Sequence, residues 1–238
     1  MYCTGHNVQS SHESLKAVAG PAVGLAVVVL SAGGLPALRQ LLGGLRPPLP
    51  GAMIIAQHVL DGTVLPELIE CWTPHRVITA ATGLSLREGS IYVCPAQRHL
   101  IVNPDGRLNL SAKPHVRFVR PSFDWLLEST AASYRERATA VLLAGANQDG
   151  ARGARAIAAN GGSVIVQDPQ TCSSRELPSA ALETGAVHWC LAPGEMALVV
   201  ADRLHTAKAR WADSWEEPFA SDAPSLPLSA AASAGQAS

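Results

Sequence analysis

The chain has 238 residues, 47% of them hydrophobic and 16% charged, a composition that supplies one α/β domain with a full core and excludes disorder throughout. Its 18 basic and 19 acidic residues leave a formal net charge of -1, so it lacks the positive field that gathers nucleic-acid phosphates, and no nucleic-acid partner is expected. The five cysteines, Cys3, Cys71, Cys94, Cys172 and Cys190, are odd in number and form no CxxC pair. They read as reduced thiols, not as a disulfide framework or a zinc clamp, and that usage suits the cytoplasm.

Residues 1–22 are polar and small and carry no periodicity, so they are expected to form a flexible lead-in to a catalytic domain over residues 23–211. The apolar stretch from Ala17 to Leu30, behind Lys16, imitates a signal-peptide core, but Gly20, Pro21 and Gly24 interrupt it. It is also shorter than the ~20 residues a bilayer span needs, so it is read as leading into a buried strand, and no membrane insertion is expected. Strands are expected at Leu25 to Leu30, Ala52 to Gln57, Ala140 to Gly145 and Ser163 to Gln167, each apolar enough to be buried on both faces. Between Val77 and Leu110 the pattern changes to "IYVC" and "HLIVNPDGRLNL", where Pro104-Asp105-Gly106 supplies the turn of an antiparallel hairpin. Pro36 marks a first helical turn, Ser122 an N-cap behind Pro121, and Gly161-Gly162 the close of a helix starting near Asp149. A last helix is expected from about Glu195 to Arg210, with Met196, Leu198, Val199 and Leu204 near helical spacing. Residues 212–238, ending in an Ala, Ser and Pro run, are expected to be a disordered tail. Apolar runs alternating with helical segments indicate a doubly wound, mostly parallel α/β sheet with helices on both faces and a small antiparallel hairpin excursion.

Three residues stand just past the ends of separate core strands, where open α/β sheets place their ligands. Ser31 follows the first strand in "SAGG", whose small residues let a carbonyl approach; it could instead cap the next helix or belong to an anion-cradling turn. His58 closes the second strand and suits a general base, although a histidine there can be purely structural. Asp149, in "AGANQDGARG", could orient an imidazole or could cap a helix. Together they make a serine-hydrolase triad in the chain order Ser, His, Asp.

The segments "SAGGLPALRQLL", "IIAQHV", "IYVCPAQRHL", "RPSFDWLLES", "LLAGANQDGARGARAI" and "VIVQDPQTCSSRELPSAALETGAV" resemble, in the same order, those of chemotaxis protein-glutamate methylesterase domains over about residues 23–205. The resemblance implies Ser31 as nucleophile, His58 as base and Asp149 as its orienting acid, with backbone N–H groups near Ala32 and Ala146 as oxyanion donors and no metal or cofactor. It implies hydrolysis of glutamate methyl esters on the cytoplasmic helices of methyl-accepting chemoreceptors, with deamidation of some glutamines as a related activity. Arg98 and Arg120 could meet an acidic receptor surface or simply be solvated. Two departures stand out: Val29 replaces the family's glycine two residues before the serine, and Ala146-Asn147 replace methionine and glycine before the aspartate. The family's common form also carries a phospho-receiver domain of about 120 residues, which a 22-residue lead-in cannot supply. An impaired enzyme acting as a binding module in a chemosensory complex is the alternative; a nucleotide-binding domain lacks the GxGxxG fingerprint.

Overall fold

The structure, a computed structural model, describes residues 23–58, 64–116 and 119–214. The expected lead-in lies outside the described residues, as does the expected tail apart from residues 212–214, which continue the last helix. In chain order the elements are β1 (Leu25–Leu30), α1 (Leu35–Gly44), β2 (Ala52–Gln57), α2 (Leu65–Glu70), β3 (Arg76–Thr79), β4 (Ser90–Val93), β5 (His99–Val102), β6 (Leu108–Ser111), α3 (Phe123–Tyr134), β7 (Ala138–Leu142), α4 (Ala151–Ala159), β8 (Ser163–Gln167), α5 (Glu176–Glu183), β9 (Trp189–Leu191) and α6 (Pro193–Ser214).

Seven strands form one parallel sheet in the order β3-β4-β2-β1-β7-β8-β9. The runs LAVVVL and AMIIAQ are buried along their whole length because both sheet faces are covered. Alternate residues serve opposite layers. Leu25, Val27 and Val29 pack with Phe123, Leu127, Ile157 and Leu177 of α3, α4 and α5. Ala26, Val28 and Leu30 pack with Leu38, Leu41, Met196 and Val200 of α1 and α6. Burying each such Leu, Ile or Val contributes roughly 1.5–3 kcal/mol, which makes β1, at the centre of the sheet, a rigid base for whatever follows it.

Two expectations need correction. The IYVC run does not belong to the hairpin: Ile91, Tyr92 and Val93 are buried in β4, paired in parallel with β2 and β3, and only β5 and β6 form the antiparallel excursion. The alternation of Tyr92 toward one layer and Ile91 and Val93 toward the other requires cover on both faces, which a two-stranded ribbon lacks. The strand expected at Ala140 to Gly145 starts at Ala138 and ends at Leu142, although Leu143 N–H still donates to the Val29 carbonyl at 3.0 Å. The hairpin turn forms at the predicted place, where Gly106 has φ +75°.

Candidate active site

The chain runs from β1 outward to β2 and, after β3–β6, returns on the other side of β1 as β7, so the carboxyl ends of these three strands flank a topological switch point. The ladder continues one residue beyond the named strands, because Ser31 N–H donates to the Ala144 carbonyl at 2.9 Å and His58 N–H to the Leu30 carbonyl at 3.2 Å. The two-residue period therefore still holds there. It carries Ser31 and His58 to the sheet face already occupied by Val29 and Ala56, the face covered by α3 and α4.

Ser31 is partly exposed on a turn closed by Gly34 N–H donating to its carbonyl at 3.1 Å. Gly33 adopts φ +81°, and any Cβ there would collide with the Ser173 hydroxyl. A Cβ at Gly34 would lie 2.7 Å from the Leu30 Cβ and 3.0 Å from the Ala144 carbonyl oxygen. The bare "GG" is thus a packing requirement of this turn. The N-cap of α1 is Gly34, with no side-chain cap, so the Ser31 hydroxyl is not spent as a helix cap. Val29 is fully buried within the core, and the turn forms two residues beyond its branched side chain.

His58 Nε2 lies 3.1 Å from Asp149 Oδ2, and its ring stacks on Phe123 with centroids 3.7 Å apart and planes 2° from parallel. The Asp149 carboxylate is buried at the amino end of α3. Its Oδ2 accepts from Phe123 N–H at 2.6 Å, and its Oδ1 accepts from Asp124 N–H and the Ser122 hydroxyl, both at 3.2 Å. The aspartate does cap a helix, as its bland reading allowed, but α3 and not the helix it precedes. The favour is returned: Asp124, on α3, accepts from Gly150 N–H at 3.0 Å and Gly153 N–H at 2.9 Å at the start of α4. Each helix is closed by the other's carboxylate, which locks the two together and aims Asp149 at His58 with its charge held by the α3 amino terminus.

A further shell positions this group. Buried His99 accepts from Ser122 N–H at its Nδ1 (3.1 Å), while its Nε2 donates to the Pro114 carbonyl (3.1 Å). The Ser122 hydroxyl accepts from Trp125 N–H at 3.4 Å, the predicted N-cap, while donating its proton to Asp149. His99, Phe123, Asp124 and Asn147 were not marked as site residues in the sequence. Only Asn147 had a signal there, as a departure from the family pattern. Its Oδ1 accepts from Asp149 N–H at 3.1 Å and its Nδ2 donates to His58 Nδ1 at 3.1 Å.

The structure therefore brings His58 and Asp149 into direct contact and sets Ser31 beside His58 on the neighbouring strand, but among the described residues the Ser31 hydroxyl makes no hydrogen bond to the imidazole. The backbone N–H groups of Ala32 and Ala146, both exposed residues, have no acceptor among the described residues. Gly145, which precedes Ala146, packs so closely on Ser31 that a Cβ there would sit 3.0 Å from the Ser31 Cβ. Two of the described thiols are held protonated: burial pushes the Cys94 thiol up to about 12, and burial with the nearby Asp168 charge raises Cys172 to about 11. Arg98 is exposed. Arg120 is not a solvated arginine, because its guanidinium donates to the Ala112 and Lys113 carbonyls and to Gln97 Oε1 at 3.2–3.3 Å, tying the exit of the hairpin to the start of α3.

A buried acid–imidazole pair beside a serine on a sharp strand-to-helix turn is the furniture of acyl transfer through a serine ester. Residues 26–200 match a family model described as CheB methylesterase. The chain is 33% identical over 195 residues to the protein-glutamate methylesterase FrzG of Myxococcus xanthus, covering 81% of this chain and 56% of that protein. It is also 33% identical over 168 residues to a putative protein-glutamate methylesterase/protein-glutamine glutaminase of Leptospira interrogans, covering 69% of this chain and 86% of that one. Among solved structures, the CheB methylesterase catalytic domain of Thermotoga maritima superposes with a TM-score of 0.72 at 26% identity, covering 75% of this chain and 97% of that domain. The chain spans little more than half the length of FrzG, and 45% of a similar protein from Symbiobacterium thermophilum.

Proposed function

Because the chain belongs to the CheB methylesterase family, we propose that it hydrolyses γ-glutamyl methyl esters on the cytoplasmic helices of chemoreceptors, releasing methanol, and deamidates some of their glutamines. The observation that carries this reading is the buried His58–Asp149 pair at the carboxyl edge of the sheet, next to a serine that caps nothing. The active unit is taken as residues 23–211, acting in the cytoplasm. Among the described residues no helix is long and apolar enough to cross a membrane.

In this mechanism the Ser31 oxygen attacks the ester carbonyl while its proton passes to His58. Nε2 is turned to Asp149, so the accepting nitrogen is Nδ1. The imidazolium, held by Asp149, returns that proton to the departing methoxide, and methanol leaves an acyl-serine. Water then repeats the sequence, with His58 taking its proton, and frees glutamate and Ser31. Ammonia replaces methanol as the leaving group when glutamine is the substrate. The N–H groups of Ala32 and Ala146 receive the carbonyl oxygen as it becomes an oxyanion. No metal or cofactor takes part.

The test is methanol release from methylated receptor by wild type and by Ser31→Ala. Release that disappears in the variant, with the fold intact, is the expected result. No release from well-folded wild type would refute the activity and leave a binding module as the better account.

A further inference from the structure

Asn147 holds both ends of a short bridge within the site. Its amide cannot be turned around, because the oxygen is committed to the Asp149 N–H at 3.1 Å, which leaves the NH₂ as the group 3.1 Å from His58 Nδ1. Nδ1 is therefore the unprotonated nitrogen, and Nε2 carries the proton given to Asp149. A neutral imidazole has a single in-plane lone pair, so Nδ1 accepts one good hydrogen bond at a time. The lone pair that Ser31 needs is the one Asn147 occupies.

We propose that Asn147 is a positioning residue that acts as a latch: it selects the reactive tautomer of His58 and reserves its Nδ1 lone pair in the resting site, so that attack by Ser31 requires the Asn147 amide to be displaced first. The inference rests on the proposed activity for its effect on rate, but not for the bridge itself. Rotation of the Asn147 side chain frees Nδ1 without moving the backbone, and position 147 is partly exposed, so the amide has solvent to move into. Rotation also loosens the Oδ1 bond to the Asp149 N–H, so the latch opposes Ser31 by the net strength of at least one neutral hydrogen bond, a floor of about fivefold in rate.

Asn147→Ser separates latch from turn. A serine hydroxyl at 147 still accepts from the N–H two residues on, preserving the local turn, but it is too short to reach His58. The probe is an alkyl fluorophosphonate, on whose phosphorus Ser31 displaces fluoride while its proton leaves through His58. The second readout is the ¹⁵N spectrum of His58. The latch predicts that Asn147→Ser is phosphonylated about fivefold faster than wild type, and that its Nδ1 resonance moves from the wild-type position as the amide hydrogen bond gives way to one from a hydroxyl. Equal or slower labelling of the variant, with wild type reactive, overturns the latch, as does an unmoved Nδ1 resonance. If neither protein is labelled although Nδ1 shifts as expected, the serine-esterase reading is what fails, and the latch on reactivity fails with it.

Discussion

Asp149→Asn is the most informative perturbation of this site because the carboxylate has two jobs that amidation separates. As an anion it serves four donors: Oδ2 takes His58 Nε2–H and Phe123 N–H, and Oδ1 takes Asp124 N–H and the Ser122 hydroxyl. A carboxamide offers one acceptor oxygen and one donor nitrogen. If the nitrogen takes the place of Oδ2 it faces two N–H groups, and His58 relieves the clash by moving its proton to Nδ1, leaving no base for Ser31. If it takes the place of Oδ1, the Ser122 hydroxyl can rotate to accept but Asp124 N–H loses its partner. A backbone donor is orphaned either way, at about 1–3 kcal/mol. Loss of the anion at the α3 amino terminus costs roughly 0.3–2 kcal/mol more. Where a triad acid is amidated and the wrong tautomer results, kcat falls about ten-thousandfold. Asp124→Asn is the matched control, since it disturbs the reciprocal cap on α4 but leaves the Asp149 carboxylate against His58. The assay pairs kcat for methanol release with denaturant unfolding of both variants. The expected result is similar stability losses, with the large rate loss confined to Asp149→Asn. A folded Asp149→Asn protein within tenfold of wild type, or equal rate losses in the two variants, would refute the reasoning.

Gly34→Ala places a Cβ against the Leu30 Cβ and the Ala144 carbonyl; it should lower stability by about 1–3 kcal/mol by thermal or urea unfolding, and a neutral outcome would contradict the close packing of the Ser31 turn. Phe123→Leu keeps an apolar side chain under His58 but removes the ring stack, worth about 0.5–1.5 kcal/mol, and is expected to reduce kcat several-fold with KM little changed; an unaltered kcat would show that the stack does not orient the imidazole. His75 is buried with its Nε2 unpaired, and desolvation lowers its pKa despite the opposing hydrogen bond that its ring donates to the Leu45 carbonyl. The unfolded chain then binds a proton that the native state refuses, so stability is lost as pH falls below the ordinary histidine value of about 6.5. His75→Gln should flatten that acid-side slope in urea titrations at pH 7 and pH 5.5, and an unchanged slope would rule His75 out as its source.

Much of this architecture was legible without coordinates because it is written in short-range pattern. Runs such as LAVVVL and AMIIAQ are apolar at every position, and only a strand covered on both faces tolerates that. Ser122 and Gly106 announced a cap and a turn through their own backbone chemistry, which depends on neighbours a few residues away. The strand ends marked Ser31, His58 and Asp149 as residues emerging along one edge, but each kept a bland alternative, since a motif does not say which donor its side chain meets. β9 was not foreseen, and β4 was assigned to the wrong sheet, because a four-residue run does not reveal whether its second face is covered.

Tertiary structure decided the rest through contacts far apart in sequence. Strand order alone sets β1 between β2 and β7, and so assembles residues 31, 58 and 149 at one switch point. The exchange of carboxylates between α3 and α4 spans 25 residues or more in either direction, and neither aspartate differs locally from an ordinary helix cap. Position 147 was visible in the sequence only as an irregularity. That its amide sits on the lone pair of a histidine 89 residues away follows from the packing of two strand ends, since a side-chain hydrogen bond is fixed by distance and direction in space, which local sequence does not encode.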